Sequence, residues 1–329
     1  MLMIPTLLGI TFVVVALMLW APGEPTFGME AAQTAGGGGQ KLASSQSLNK
    51  AKAEMGFFDD EGNKKNVVVA WAGWIGRLVT LELGESWKFK RPVTELLAER
   101  VPITMLLSGL SLFLIFLISI PLGVRSATRM GTVEDGITTT TLFALYSMPN
   151  WWVAIVLILC FSSASGCNWI PVDGMHDVDA KTFTFFEYIS DFAIRLVLPV
   201  FCLTYAGFAS LSRYMRSGLL EVVRQDYVRT ARAKGLDEKR VIWTHAFRNA
   251  LIPIVTLLGG LLPGLIGGSI IIELIFSIDG MGKLGYSAIF NRDYLVVMAN
   301  TVVAGFLTLL GILVSDVLYC FVDPRISLD

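Results

Sequence analysis

Six segments of this chain are apolar over a length that can cross a lipid bilayer as a helix. A crossing needs about 20 mainly apolar residues. The segments that meet or approach this length are residues 2–20, 103–124, 138–161, 194–212, 250–272 and 295–322. Charged residues make up only 16% of the chain, whereas an ordinary soluble domain carries about 25%. The sequence therefore predicts an all-α membrane protein with six transmembrane helices.

A long polar segment, residues 21–100, separates the first two predicted helices. We interpret residues 1–20 as an uncleaved helix and not a signal peptide, because no basic run precedes it and no small-x-small cleavage site follows it. The first half of the polar segment is rich in Gly, Ser and Pro, which is typical of a flexible loop. The second half contains three tryptophans and the helix-like run TELLAERVP, so we expect it to be ordered.

Charge asymmetry between two connecting loops predicts the orientation of the helices. Residues 213–249 carry nine basic and four acidic side chains, a net charge of +5, and residues 162–191 carry five acidic side chains and one lysine, a net charge of −4. Basic loops beside transmembrane helices stay in the cytoplasm. With six crossings, both termini and the basic loop are predicted to be cytoplasmic, and the 21–100 and 162–191 segments to be external.

Within the basic loop the sequence predicts a helix, a break and a second helix. One helical face is indicated by residues recurring at every fourth position, namely Leu219, Val223, Tyr227 and Ala231. Gly235 is expected to end the first helix, and Asp237 to cap the second.

Three apolar side chains near this break, Leu236, Val241 and Trp243, are predicted to form the tip of a helical hairpin. An ordered tip of this kind fits a groove on another protein. The alternative is that the loop is only a topology determinant whose charges also contact anionic lipid.

The loop sequence DYVRTARAKGL, followed by HAFRNALIP, is similar to the cytoplasmic signature of bacterial ATP-binding-cassette import permeases of the dipeptide/oligopeptide group. RVPITMLL, GESW, SMPNWW, IPVDG and the closing SDVLYCFVDPRI also resemble elements of this family. Arg229 and Thr230 replace the Glu and first Ala of the general signature, Pro253 stands further on, and Asp279 stands where the family usually has proline. The first two departures are usual for the peptide branch.

This resemblance implies the type I importer permease fold: a first helix, a long external segment, a five-helix core over residues 101–322, and a cytoplasmic tail at residues 323–329. It also implies that the loop contains a coupling helix that docks on a separate ATPase. The residues assigned to this contact are Asp226, Tyr227, Arg229, Ala231, Lys234, Gly235, Leu236, Val241, His245, Arg248 and Asn249. Outer-loop residues matching the family pattern are Glu273, Gly280, Gly282, Arg292 and Asp293.

Two predicted crossings contain residues suited to a subunit interface or to the translocation path. Gly260, Gly264 and Gly268 form two overlapping GxxxG steps in the fifth, a spacing that allows two helices to approach closely. The alternative is close packing within this chain. Pro149 is expected to kink the third helix, and Trp151 either fills a packing gap or lines the path, with packing the preferred interpretation.

Several motifs that would indicate catalysis are missing from the sequence. No GxxxxGK[ST] phosphate-binding loop occurs, so ATP and Mg²⁺ are expected to bind partner ATPase subunits and no cofactor is predicted in this chain. No metal-ligand spacing is present, because His176 and His245 fall on opposite predicted sides of the membrane. An intramembrane enzyme would need a paired catalytic set, and none is found.

The resemblance and the charge distribution together predict a permease subunit of an ATP-driven, binding-protein-dependent importer of peptides or peptide-like solutes in the bacterial cytoplasmic membrane. Its predicted partners are a homologous second permease, two ATPase subunits, a periplasmic or lipid-anchored solute-binding protein and membrane lipid, with no nucleic acid. The alternative is an ion-driven secondary transporter. That class favours ionisable groups near mid-membrane, yet Arg195, Glu273 and Asp316 all lie toward helix ends.

Overall fold

A computed structural model describes residues 3–20, 53, 55–161, 169–172, 174–176, 182–251, 253–254, 257 and 269–322, with side chains as far as 317. Within these ranges the regular structure is helical, with two isolated β-bridges at Phe58–Lys64 and Glu85–Pro92. The helices are α1 (Met3–Trp20), α2 (Val67–Val79), α3 (Val93–Thr128), α4 (Val133–Ser147), α5 (Asn150–Phe161), α6 (Phe185–Val222), α7 (Asp226–Ala233), α8 (Glu238–Arg240), α9 (Phe247–Ala250), α10 (Ile270–Ile275), α11 (Met281–Phe290) and α12 (Tyr294–Val322). A π-helical turn, Val241–Ala246, joins α8 to α9.

Four of these helices, α1, α3, α6 and α12, are long and apolar enough to cross a membrane, and the α4–α5 pair makes a fifth candidate if it counts as one crossing. The fifth crossing predicted from the sequence, residues 250–272, falls largely outside the described residues, as do Gly260, Gly264 and Gly268. The structure thus supports an all-helical protein with four to five candidate crossings in its described part.

Helices α3 and α6 extend well beyond the predicted crossings. They contain 36 and 38 residues, which at 1.5 Å per residue is about 55 Å, whereas the hydrocarbon core of a bilayer is about 30 Å thick. The run TELLAERVP is the first part of α3, which confirms that it is helical. The beginning of the basic loop is the end of α6.

The predicted third crossing is broken rather than kinked. Its two halves, α4 and α5, meet at an angle of 97°. Met148 between them is extended (φ −88°, ψ 128°), because a residue before proline is driven away from helical geometry. The side chain of Trp151 is 46% exposed, so within the described chain it does not fill the internal gap that we expected.

The chain divides into two compact units, and the first comprises residues 1–103 and 280–309. Its core includes Phe57, Phe58, Trp74 and Met298, all buried. The indole nitrogen of Trp71 on α2 donates a hydrogen bond to the Thr11 hydroxyl on α1 at 3.0 Å. The second half of the 21–100 segment is therefore ordered, as predicted.

The second unit comprises residues 104–279 and 310–329. Within it α3 and α6 pack so closely that a Cβ atom added at Gly123 would lie 2.6 Å from the Met215 Cβ, so only glycine fits there. Arg195 on α6 is buried and donates a hydrogen bond to Asp191 at 2.7 Å. This ion pair compensates the charge of the buried Arg195 guanidinium.

Candidate functional site

The basic loop folds as a hairpin, defined here as residues 223–250, between the end of α6 and the end of α9. Helix α6 stops at Val222, and α7 begins after Gln225, whose backbone is extended (φ −71°, ψ 150°). The predicted continuous face from Leu219 to Ala231 is therefore wrong, because the helix is interrupted in the middle of it. Leu219 and Ala231 are still buried, but Tyr227 is 42% exposed.

Gly235 ends the first arm of the hairpin, as predicted. Its φ of +77° is a left-handed conformation that favours glycine, and its N–H donates to the Arg232 carbonyl at 2.9 Å. A Cβ added at Gly235 would meet no atom of the described residues within 4 Å. Among these residues, backbone conformation and not packing is therefore what favours glycine here.

The second arm begins with the predicted cap. The Asp237 side chain accepts a hydrogen bond from the Lys239 N–H at 3.2 Å. Across the turn Arg232 donates two hydrogen bonds to Glu238, from Nε at 3.0 Å and from Nη2 at 2.6 Å. The bond from Arg232 holds the pKa of the Glu238 carboxyl below its ordinary value, and the same pair raises the pKa of Arg232.

The apolar residues of the hairpin are distributed differently from the prediction. Val241 is fully buried and packs in a cluster with Leu219 and Val228. The prediction that Val241 lies exposed at the tip of the hairpin is therefore wrong. The π-helical turn directs Val241 and Ala246 inward. Leu236 is half-buried against the same cluster.

Of the three apolar residues predicted for the tip, Trp243 is the one that is exposed. It is 45% exposed, and its ring lies 5.0 Å from the ring of Phe247. With Lys239 and Ile242 it borders a groove of about 380 Å³, whose other wall is the end of α3 with Arg125 and Arg129. The sequence did not indicate this groove, because the end of α3 and the hairpin are more than 100 residues apart.

A hydrogen bond joins the two arms through two of the predicted residues. The Asn249 side-chain amide donates to the Tyr227 hydroxyl at 2.6 Å. The remaining predicted residues of the hairpin are surface or half-buried positions: Asp226, Arg229, Lys234, His245 and Arg248. The hairpin is thus folded and closed by its own contacts, while its polar and aromatic outer face is not covered by any of the described residues.

One buried carboxylate that the sequence did not indicate, Asp135, fixes the first turn of α4. Asp135 is buried and accepts hydrogen bonds from the Ser126 hydroxyl, from the Gly131 N–H at 3.1 Å and from Arg216 on α6 at 2.8 Å. Next to it Glu134 pairs with Arg125 and Arg129. The sequence feature that could have indicated Asp135 is the N-cap Thr132, which is followed by an acidic first turn.

The predicted outer-loop residues lie in both units. Glu273 belongs to the second, is buried, and accepts a hydrogen bond from Thr104 at 3.1 Å. In the first unit Gly280 is the N-cap of α11, and Gly282 is buried within that helix. Arg292 has a φ of +51°.

Asp293, also in the first unit, is buried and accepts hydrogen bonds from the Ser86 hydroxyl at 2.6 Å and the Lys88 N–H at 3.2 Å. These contacts show a structural role for a residue that the family resemblance had placed in an outer loop. Among the described residues no group of three or more His, Cys, Asp or Glu side chains is arranged to hold a metal ion.

Comparison with known proteins connects these features to one family. Residues 119–328 match the family described as the binding-protein-dependent transport system inner membrane component. The chain is 40% identical to the oligopeptide transport system permease protein AppB of Bacillus subtilis, over 98% of this chain and 96% of the relative. It is 34% identical to the di/tripeptide transport system permease protein DppB of Pseudomonas aeruginosa, over 99% of this chain and 96% of the relative.

A solved structure shows the same fold. A chain of the MetNI methionine ABC transporter in an inward-facing conformation superposes with a TM-score of 0.51 and 19% sequence identity, covering 70% of this chain and 98% of that one. The matched family region contains the whole hairpin with its Gly235 turn. This chain belongs to the family of binding-protein-dependent transport system inner membrane components.

Proposed function

We propose that this chain is the membrane-spanning permease subunit of an ATP-driven, binding-protein-dependent importer of peptides or peptide-like solutes. The observation that carries the proposal is the hairpin, which is ordered by its own caps, ion pair and buried cluster and still presents Tyr227 and Trp243 outward. A loop that only determined topology would not need this order. The similarity to oligopeptide and di/tripeptide permeases supports the peptide class of substrate.

The proposed assembly contains a homologous second permease, two ATPase subunits that bind ATP and Mg²⁺, and an external solute-binding protein. This chain supplies half of the translocation path and performs no hydrolysis itself. It crosses the bacterial cytoplasmic membrane six times, with residues 250–272 as the fifth crossing and Gly260, Gly264 and Gly268 contacting a neighbouring helix. The 21–100 segment is external and both termini are cytoplasmic.

Movement of the ATPases would reach the membrane through the packing of the hairpin. Val228, Val241 and Ala246 share one buried cluster with residues of α3 and α6, including Met215. Gly218 on α6 also approaches α9 closely, because a Cβ added there would lie 3.3 Å from the Ala250 carbonyl oxygen. A displacement of the hairpin therefore pulls on α3 and α6 directly, since densely packed interiors transmit strain.

The energy source separates this proposal from an ion-driven transporter. The test is uptake of a labelled peptide by proteoliposomes that contain the complete complex, supplied with the loaded binding protein. We expect uptake to require hydrolysable ATP on the hairpin side and to persist when ionophores dissipate the ion gradients. Uptake that requires the ion gradients and does not depend on ATP would overturn the proposal.

The proposed orientation can be tested by labelling single cysteines with an impermeant thiol reagent on intact cells. Glu61→Cys in the external segment and Lys234→Cys in the hairpin both place the thiol at an exposed position. We expect labelling at position 61 only, with position 234 becoming reactive after the membrane is permeabilised. The opposite pattern would invert the topology.

A further inference from the structure

Two adjoining cavities open between α4 and α6 in the second unit. Their volumes are about 450 and 470 Å³, and Phe143, Arg213 and Ser217 belong to the walls of both. Binding sites for small molecules commonly occupy about 300–1,000 Å³. The pair of cavities therefore has room for a short peptide, and the hairpin described above does not include it.

The walls combine aromatic rings with hydroxyl groups. Phe143, Tyr146 and Tyr214 surround the first cavity, and Thr139 and Thr140 line the second. The two tyrosines are half exposed in this chain. Rings and hydroxyls suit a ligand with apolar side chains and peptide groups, because one pocket then offers both dispersion contacts and hydrogen bonds.

The charges in the walls do not balance. Arg216 faces the second cavity, but it is neutralised by Asp135, to which it donates a hydrogen bond at 2.8 Å. Arg213 faces both cavities, and within the described residues it forms no ion pair with a carboxylate. Ser210 and Ser217 lie three and four residues from Arg213 and therefore share its helix face. Arg213 is exposed at the end of the predicted fourth crossing, so its guanidinium is available to an anionic group that enters either cavity.

We propose that these cavities are a binding subsite of the translocation path, in which Arg213 binds the C-terminal carboxylate of the transported peptide. A guanidinium group matches a carboxylate through two parallel hydrogen bonds, and the aromatic walls contact the rest of the peptide. This inference rests on the proposed function and adds to it a specific group that recognises the substrate. The competing role for Arg213 is that of a cytoplasmic charge that sets topology alone.

The test compares two forms of one peptide, with a free C-terminal carboxylate and with a C-terminal amide, in proteoliposomes containing the complete complex. The binding protein is saturated with each form beforehand, and its saturation is measured separately. The variants are Arg213→Gln, which removes the charge, and Arg213→Lys, which keeps it. Arg224→Gln is the matched control, because Arg224 is an exposed arginine of the same basic stretch that lines neither cavity.

We expect Arg213→Gln to slow uptake of the free-acid peptide by about tenfold, the effect of losing one strong charge-assisted hydrogen-bonding group. Uptake of the amide should not change, which also shows that the variant is folded and coupled. Arg213→Lys should stay within about threefold of the wild type, since a lysine still provides a charged donor. Arg224→Gln should leave the ratio of free-acid to amide uptake unchanged, because any loss of coupling through the hairpin would slow both forms equally.

Equal loss of both peptide forms in Arg213→Gln would overturn the inference and assign Arg213 to folding or coupling. Unchanged uptake of both forms would also overturn it and leave Arg213 as a topology determinant. If the wild-type complex imports neither form, the proposed function is wrong, and the subsite that rests on it is wrong as well. Slowed uptake of the free acid alone is the result that supports the subsite.

Discussion

Two turns of this molecule are built around a glycine in nearly the same backbone conformation, yet their surroundings differ. Gly84 has a φ of +79° and Gly235 a φ of +77°. A Cβ added at Gly84 would lie 2.9 Å from Leu295, whereas one added at Gly235 would meet no described atom within 4 Å. A left-handed glycine therefore occurs in one turn that packs against another part of the chain and in one turn that contacts no other described residue at this position.

The polar groups of the two turns repeat this contrast. At the Gly84 turn, Ser86 and Asp293 are fully buried and bonded to each other across 207 residues of sequence. At the Gly235 turn, Asp237, Glu238 and Arg232 are all exposed. The polar groups of the first turn are paired with each other inside the chain, so this turn stabilises the fold. The second is ordered but uncovered, which is what a surface for a partner protein requires.

Replacement of Asp293 should have the largest effect on stability. Asp293→Ala leaves the buried Ser86 hydroxyl and the Lys88 N–H without their acceptor, which should cost about 3 kcal/mol. The control is Asp237→Ala at the exposed turn, where loss of a helix cap costs about 1 kcal/mol. The measurement is the thermal unfolding midpoint of the purified protein in detergent. Equal shifts for the two variants would remove the contrast between the turns.

Alanine at the two glycines should separate conformational strain from packing. Both variants force a left-handed residue, at a cost of about 1–2 kcal/mol. Gly84→Ala must also displace the Leu295 side chain, so its unfolding midpoint should fall further than that of Gly235→Ala. Gly235→Asn should recover part of the loss, because asparagine tolerates this conformation. A larger loss at Gly235 would mean that the hairpin is packed more tightly than the structure shows.

The ion pair at the Gly235 turn should have the smallest effect. Glu238→Gln removes the carboxylate charge that pairs with Arg232, but solvent screens this exposed pair and the loss should be under about 1 kcal/mol. Because the folded-state pKa of Glu238 is lowered, the stabilisation is present above the unfolded pKa and disappears as the pH falls through the folded value. The difference between wild type and variant in urea unfolding should therefore vanish in acid. A difference that persists there would assign it to packing.

The features that the sequence predicted correctly are those encoded by neighbouring residues. Gly235 as a helix stop, Asp237 as a cap and the helical TELLAERVP run each depend on a few adjacent positions. The predicted helical face at Leu219–Ala231 failed because periodicity does not reveal a break at residues 223–225.

Features formed between distant residues could not be predicted in this way. The pairs Ser86–Asp293 and Asp135–Arg216 each join residues far apart in the chain. The burial of Val241 depends on a π-helical turn that turns its side chain inward. The sequence thus identified the hairpin as the candidate site but not which of its apolar residues remains exposed.

The proposed docking of the hairpin on an ATPase can be tested at Trp243, which is the most exposed aromatic residue among the described residues of the hairpin. The measurement is the rate of ATP hydrolysis by the reconstituted complex with and without loaded binding protein. Trp243→Asp should lower the stimulated rate at least about tenfold, since losing one large buried side chain at the contact costs about 1.5–3 kcal/mol. Trp243→Phe should keep most of the stimulation, and both variants should unfold close to the wild-type temperature. Full stimulation of the Trp243→Asp complex would show that the hairpin does not dock through Trp243 and would leave its charge as a determinant of topology.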